Sequence, residues 1–71
     1  MDLEFEITKT IACLSQEKNG WTKELNCVSW NGREPKYDIR SWSPDHKKMG
    51  KGCTLSEAEL KILKDVLQEL L

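Results

Sequence analysis

Leu60, Leu63, Leu67 and Leu70 recur at alternating intervals of three and four through the last sixteen residues of this 71-residue chain. That spacing fits one stripe of an α-helix and no β-strand. Ile62, Val66 and Leu71 widen the stripe, while Lys61, Lys64, Asp65, Gln68 and Glu69 take the other side. Ser56 stands three residues before Glu59, the arrangement in which a serine hydroxyl caps the third helical N–H and the glutamate reaches back to the cap. Glu57 and Glu59 suit the positive end of the helix dipole, and neither Pro nor Gly interrupts the run. The spacing predicts a helix over 57–71.

Everything before the helix alternates with the two-residue period of strands. Phe5, Ile7, Ile11 and Cys13 fall at odd positions with Glu4, Glu6, Thr8 and Thr10 between them, a pattern of β-formers with one apolar face. Asn19-Gly20 and Asn31-Gly32 are strong hairpin dipeptides, so a second strand is expected over 21–30. Pro35 admits a third strand only after it, over 36–42. The Gly-punctuated polar stretch through Gly52 reads as a loop in which Gly50 and Gly52 bend the chain, and Cys53-Thr54-Leu55 reads as a short fourth strand. The expectation is one α+β domain over 1–71: a curved antiparallel sheet of four strands followed by one C-terminal helix, in the order ββββα. A chain this short removes only about 60% of its unfolded surface from water, and the helix stripe is broader than one small sheet can cover. A homodimer joined through Leu60, Leu63, Leu67 and Leu70 is the expected remedy.

Composition narrows the function. No apolar run approaches the roughly 20 residues of a membrane span, and the start, Met1-Asp2-Leu3-Glu4, is acidic where a secretory signal is basic. A cytoplasmic protein is expected. Cys13, Cys27 and Cys53 form no close pair and have no histidine nearby, whereas a zinc site uses ligands two to four apart. They are expected to be small buried thiols, with no metal and no cofactor. His46 is the only histidine, and it reads as a loop residue. No Ser or Cys is spaced to form a nucleophile motif, and Gly50-Lys51-Gly52 lacks the spacing of a phosphate-binding loop. No catalytic residues are expected.

Charge is uneven along the chain. Residues 1–17 carry −3 and 52–71 carry −2, while 18–51 carry +4 from eight basic against four acidic residues. Such a layout places one positive face on a molecule whose net charge is only −1. In the third strand, Lys36, Asp38, Arg40 and Trp42 share one face and Tyr37 and Ile39 the other. Trp21 and Trp30 flank the Asn-Gly turns, with Lys23 two residues after Trp21. Cations among aromatics on a sheet suit single-stranded nucleic acid, because phosphates take Lys and Arg while unpaired bases stack on rings. The pattern equally admits three core tryptophans with a solvated basic rim. A protein-interaction adaptor that uses the apolar helix for a different partner is the alternative function.

Asp38-Ile39-Arg40 with Trp42, Pro44-Asp45, Lys48-Met49, Gly50-Lys51-Gly52 and a Ser-capped helix resemble the transcriptional coactivator family called positive cofactor four. Gly20-Trp21-Thr22-Lys23-Glu24-Leu25-Asn26 and Trp30-Asn31-Gly32-Arg33-Glu34-Pro35-Lys36-Tyr37 resemble its bacterial YdbC-like branch, and the likeness covers about residues 5–71. The resemblance implies a homodimer with paired helices, and curved sheets forming channels for single-stranded DNA with little sequence preference. It implies that Arg40 and Lys36 hold phosphates, that Trp42 and Trp30 stack bases, and that Lys23, Trp21 and Lys51 add to the site. The Ser- and Lys-rich tail of eukaryotic members is not in this sequence, so the resemblance implies the binding core alone, serving bacterial transcription, replication or repair. RNA suits the same contacts, because backbone contacts and stacking distinguish the sugar only weakly.

Overall fold

The computed structural model describes residues 3–71. Met1 and Asp2, with which the acidic N-terminal segment begins, lie outside the described residues. The elements are β1 (Phe5–Gln16), β2 (Thr22–Trp30), β3 (Lys36–Trp42), β4 (Met49–Leu55) and α1 (Glu57–Leu70). The strands lie in chain order in one antiparallel sheet, so the ββββα reading holds. Trp21 falls just before β2 rather than inside it.

Local chemistry explains the joints. Asn31 and Gly32 adopt φ of 52° and 74°, and the Arg33 N–H donates to the Trp30 carbonyl at 3.0 Å. Two successive positive φ values make a type I′ turn, which matches the twist of the flanking strands. The helix begins with the expected box: the Ser56 hydroxyl accepts the Glu59 N–H at 3.1 Å, and the Glu59 carboxylate accepts the Ser56 N–H at 2.8 Å.

The fourth strand departs from expectation. It begins at Met49, so the stretch read as a loop is half of β4. Gly52 pairs with Arg40, and a Cβ there would collide with the Arg40 Cβ and the Ile39 carbonyl oxygen. The glycine is needed for close backbone approach within a strand, not for a bend.

The sheet curls strongly. Arg40 pairs with Glu24, six residues from Trp30 along β2, yet its guanidinium lies 4.7 Å from the centre of the Trp30 ring. Phe5 pairs with Trp30, yet its ring centre lies 5.2 Å from that of Trp42 at the far end of β3. The β1–β2 ladder slips register at three places, and such bulges bend and twist a strand. The inside of the curl is the core, where Val28 and Trp42 are fully buried among Glu24, Asn26 and Asp38.

The outer face is left open. Leu25, Tyr37 and Ile39 are half-buried there and, with Leu14, Leu60, Leu63 and Leu67, line an apolar groove of 730 Å³ between sheet and helix. No residue of α1 is buried, and Ile62, Val66, Leu67, Leu70 and Leu71 are exposed. The expected buried thiols are corrected for the same reason. Cys13 and Cys53 are exposed and Cys27 is half-buried; Cys27 and Cys53 pair with Tyr37 and Ile39 on the uncovered face.

Candidate nucleic-acid interface

Strand alternation groups Lys36, Asp38, Arg40 and Trp42 as expected, but their face is the inside of the curl, not a solvated surface. Asp38 and Trp42 have no exposure at all. The Trp42 indole is covered by Phe5 and by the His46 ring, which lies 5.9 Å away at an interplanar angle of 27°. The expectation that Trp42 stacks bases is therefore corrected: a sealed ring presents no face to a ligand. Curvature is the cause, since it brings β1 and the β3–β4 connection over one of the largest apolar side chains of the chain.

Arg40 is held from three sides. Its Nε and Nη2 donate to Asp38 Oδ1 and Oδ2 at 2.6 and 2.9 Å, its Nη1 reaches the Met49 sulfur at 3.4 Å, and its plane lies over Trp30. Thr54 donates a further hydrogen bond to Asp38 Oδ2 at 3.0 Å. A guanidinium has five N–H donors, so two remain, on a side chain that is 15% exposed. Trp30 is half-buried, with one face taken by that cation.

A second polar cluster, around Glu24, gave no signal in the sequence. Glu24 accepts from Thr22 at 2.5 Å, Asn26 at 3.0 Å and His46 Nε2 at 2.9 Å. A carboxylate only accepts, so Nε2 carries the hydrogen. Burial works to raise the Glu24 pKa, but the bonds from Asn26, Thr22 and His46 outweigh it and hold the group below the ordinary 4.5. A depressed folded-state value means that the carboxylate stabilises the fold above the ordinary glutamate range, and that this stability is lost as pH falls through the folded-state value. Glu24→Gln is expected to flatten the acid limb of stability below about pH 4.5, as read from urea midpoints at successive pH values; an unchanged acid limb would dismiss the cluster as a source of pH dependence.

Of the eight basic residues between 18 and 51, Arg40 alone is in an ion pair among the described residues. Lys18, Lys23, Arg33, Lys36, Lys47, Lys48 and Lys51 are all exposed. Lys36, Lys23 and Lys51 are thus accessible, and Trp21 is half-buried like Trp30. Lys47 and Lys48, on the β3–β4 connection, are exposed as well, although the sequence reading names neither as a binding residue. The structure does not gather all these residues at one point; it sets exposed cations around a curled sheet whose aromatic interior holds Arg40. Leu60, Leu63 and Leu67 line the apolar groove, and Leu70 lies exposed near the end of the helix.

A protein of Treponema pallidum (strain Nichols), described as uncharacterised, is 52% identical over 69 residues, which cover 97% of this chain and 81% of that protein. The family profile of transcriptional coactivator p15 (PC4) matches residues 17–66, a span that takes in β2, β3, β4 and most of α1. The profile covers well over half of the sequence, and the chain belongs to the transcriptional coactivator p15 (PC4) family.

Proposed function

We propose that this protein binds single-stranded DNA without reading its sequence, as a homodimer, in the bacterial YdbC-like branch of the family. The family is one of nucleic-acid-binding proteins without enzymatic activity, and residues Trp21 to Asn26, which lead into β2 and form its first half, support the branch. The observation that carries the reading is the set of seven exposed basic residues between 18 and 51 with no carboxylate at ion-pair distance among the described residues. In a chain of net charge −1, cations left unpaired in one segment suit a polyanion. Lys36, Lys23 and Lys51 take phosphates, with the two N–H groups of Arg40 that have no partner among the described residues. The accessible parts of Trp30 and Trp21 meet bases, which are free to stack only when unpaired. RNA engages the same groups. The setting is the bacterial cytoplasm, where transcription, replication and repair expose single strands.

The dimer reading is supported by the open groove of 730 Å³. An apolar face of that kind on so small a domain is suited to a second copy of itself.

Titration with an oligothymidylate at low salt is expected to quench tryptophan fluorescence, more tightly than a duplex of equal length does. The logarithm of affinity should fall with log salt at about 0.7 per phosphate neutralised. An unquenched signal at low salt, or tighter binding to duplex, would refute the reading. In the same preparation sedimentation should give a dimer, and Leu63→Asp a monomer. A wild-type chain that stays monomeric at micromolar concentration would instead assign the groove to a different protein, as an adaptor.

A further inference from the structure

We propose that Lys47 and Lys48 form a phosphate-binding site on the β3–β4 connection, for the phosphodiester backbone of a single strand, and that His46 is the residue that positions them. The inference rests on the single-strand reading above.

The connection is braced well beyond what joining two strands requires. Ser43 N–H donates to the Lys48 carbonyl at 3.0 Å, and His46 N–H donates to the Ser43 carbonyl at 2.9 Å. The Ser43 hydroxyl donates to Asp45 Oδ1 at 2.7 Å and accepts the Lys48 N–H at 3.0 Å. Asp45 Oδ1 also accepts the Lys47 N–H at 3.0 Å. The backbone N–H of each lysine is thus tied down by a side chain. Both lysine side chains remain exposed, and neither has a carboxylate at ion-pair distance among the described residues.

His46 fixes this assembly to the body of the domain. It adopts φ of 58°, a left-handed conformation uncommon outside glycine that persists where surrounding contacts impose it. The contacts are the 2.9 Å bond from Nε2 to the nearly buried Glu24 carboxylate and the stack on Trp42. The lysines that follow therefore start from a backbone anchored in the core, which lowers the ordering cost of meeting a ligand. Lys51, three residues after Lys48, adds a further positive charge within β4. The cations here are lysines, which act as point charges toward phosphate and read no base.

Oligothymidylate binding is followed by tryptophan fluorescence across a salt series at pH 8.5, where imidazole in water is neutral. Lys47→Ala/Lys48→Ala is expected to make the log–log salt slope shallower by about 1.4, as two lost phosphate contacts require, with the melting temperature unchanged. His46→Ala removes neither lysine, yet its slope should fall between those two proteins. His46→Gln, which keeps a donor toward Glu24, should return it toward the wild-type value. A wild-type slope in the double variant, or in His46→Ala whatever happens to its melting temperature, overturns the inference while leaving single-strand binding intact. A wild-type chain that does not bind the oligothymidylate overturns the parent reading instead.

Discussion

Trp42→Ala is expected to cost about 3–5 kcal/mol of stability, the range for emptying a large aromatic site in a packed interior. A domain of 71 residues has roughly 4–10 kcal/mol in all, so the variant should be largely unfolded near 37 °C. Trp42 and Val28 are the fully buried apolar side chains of the core, and Phe5 and His46 both rest on the indole. Without it the curl has nothing to close around. One term opposes the loss. The Trp42 Nε1–H is buried with no acceptor among the described residues, a state that costs about 1–3 kcal/mol, and truncation removes it. Trp42→Phe keeps a ring and discards that N–H, so it should be much milder than alanine. Urea midpoints of the two variants decide the matter: a Trp42→Ala protein that unfolds like wild type but no longer responds to oligothymidylate would put the indole back on a binding surface.

Arg40→Ala should be nearly as damaging, again about 3–5 kcal/mol, although it removes an exposed-looking charge from a strand. The reason lies in its partner. Asp38 has no exposure, and without the guanidinium its carboxylate keeps only the Thr54 hydroxyl among the bonds described. A buried charge stripped of its counterion is far costlier than the pair is favourable. Arg40→Lys should rescue poorly, because an ammonium cannot make the two-pronged bond or lie flat on Trp30. Asp38→Asn combined with Arg40→Met should recover much of the loss, since it removes both charges together. If Arg40→Ala alone left the urea midpoint in place, the pair would be shown to contribute nothing to folding. Arg40 is thus chiefly part of the core, with only its outer edge available to a phosphate.

These two residues also show what a sequence can and cannot reveal. Alternation correctly grouped Asp38, Arg40 and Trp42, because a strand has a period of two whatever surrounds it. It could not tell which face turns inward. That depends on curvature, which the three register slips of β1 help to impose, and no local pattern announces them. Ser56 and Glu59 were legible because a capping box is complete within four residues. Gly52 was visible but misread: glycine signals freedom and close approach by the same absence of a side chain, and only the neighbouring Arg40 and Ile39 decide between them. Glu24 and His46 lie 22 residues apart, so nothing in either neighbourhood pointed to the other.

The slipped register along β1 has a consequence beyond curvature. An open sheet ends in a strand whose outward amides and carbonyls can recruit a stranger, and an evenly spaced row of them is a template for fibre growth. Three irregularities in twelve residues break that row into fragments too short and too twisted for another chain to align with. Lateral polymerisation is thereby discouraged on that flank, which leaves the leucine-lined groove as the surface proposed for a second copy.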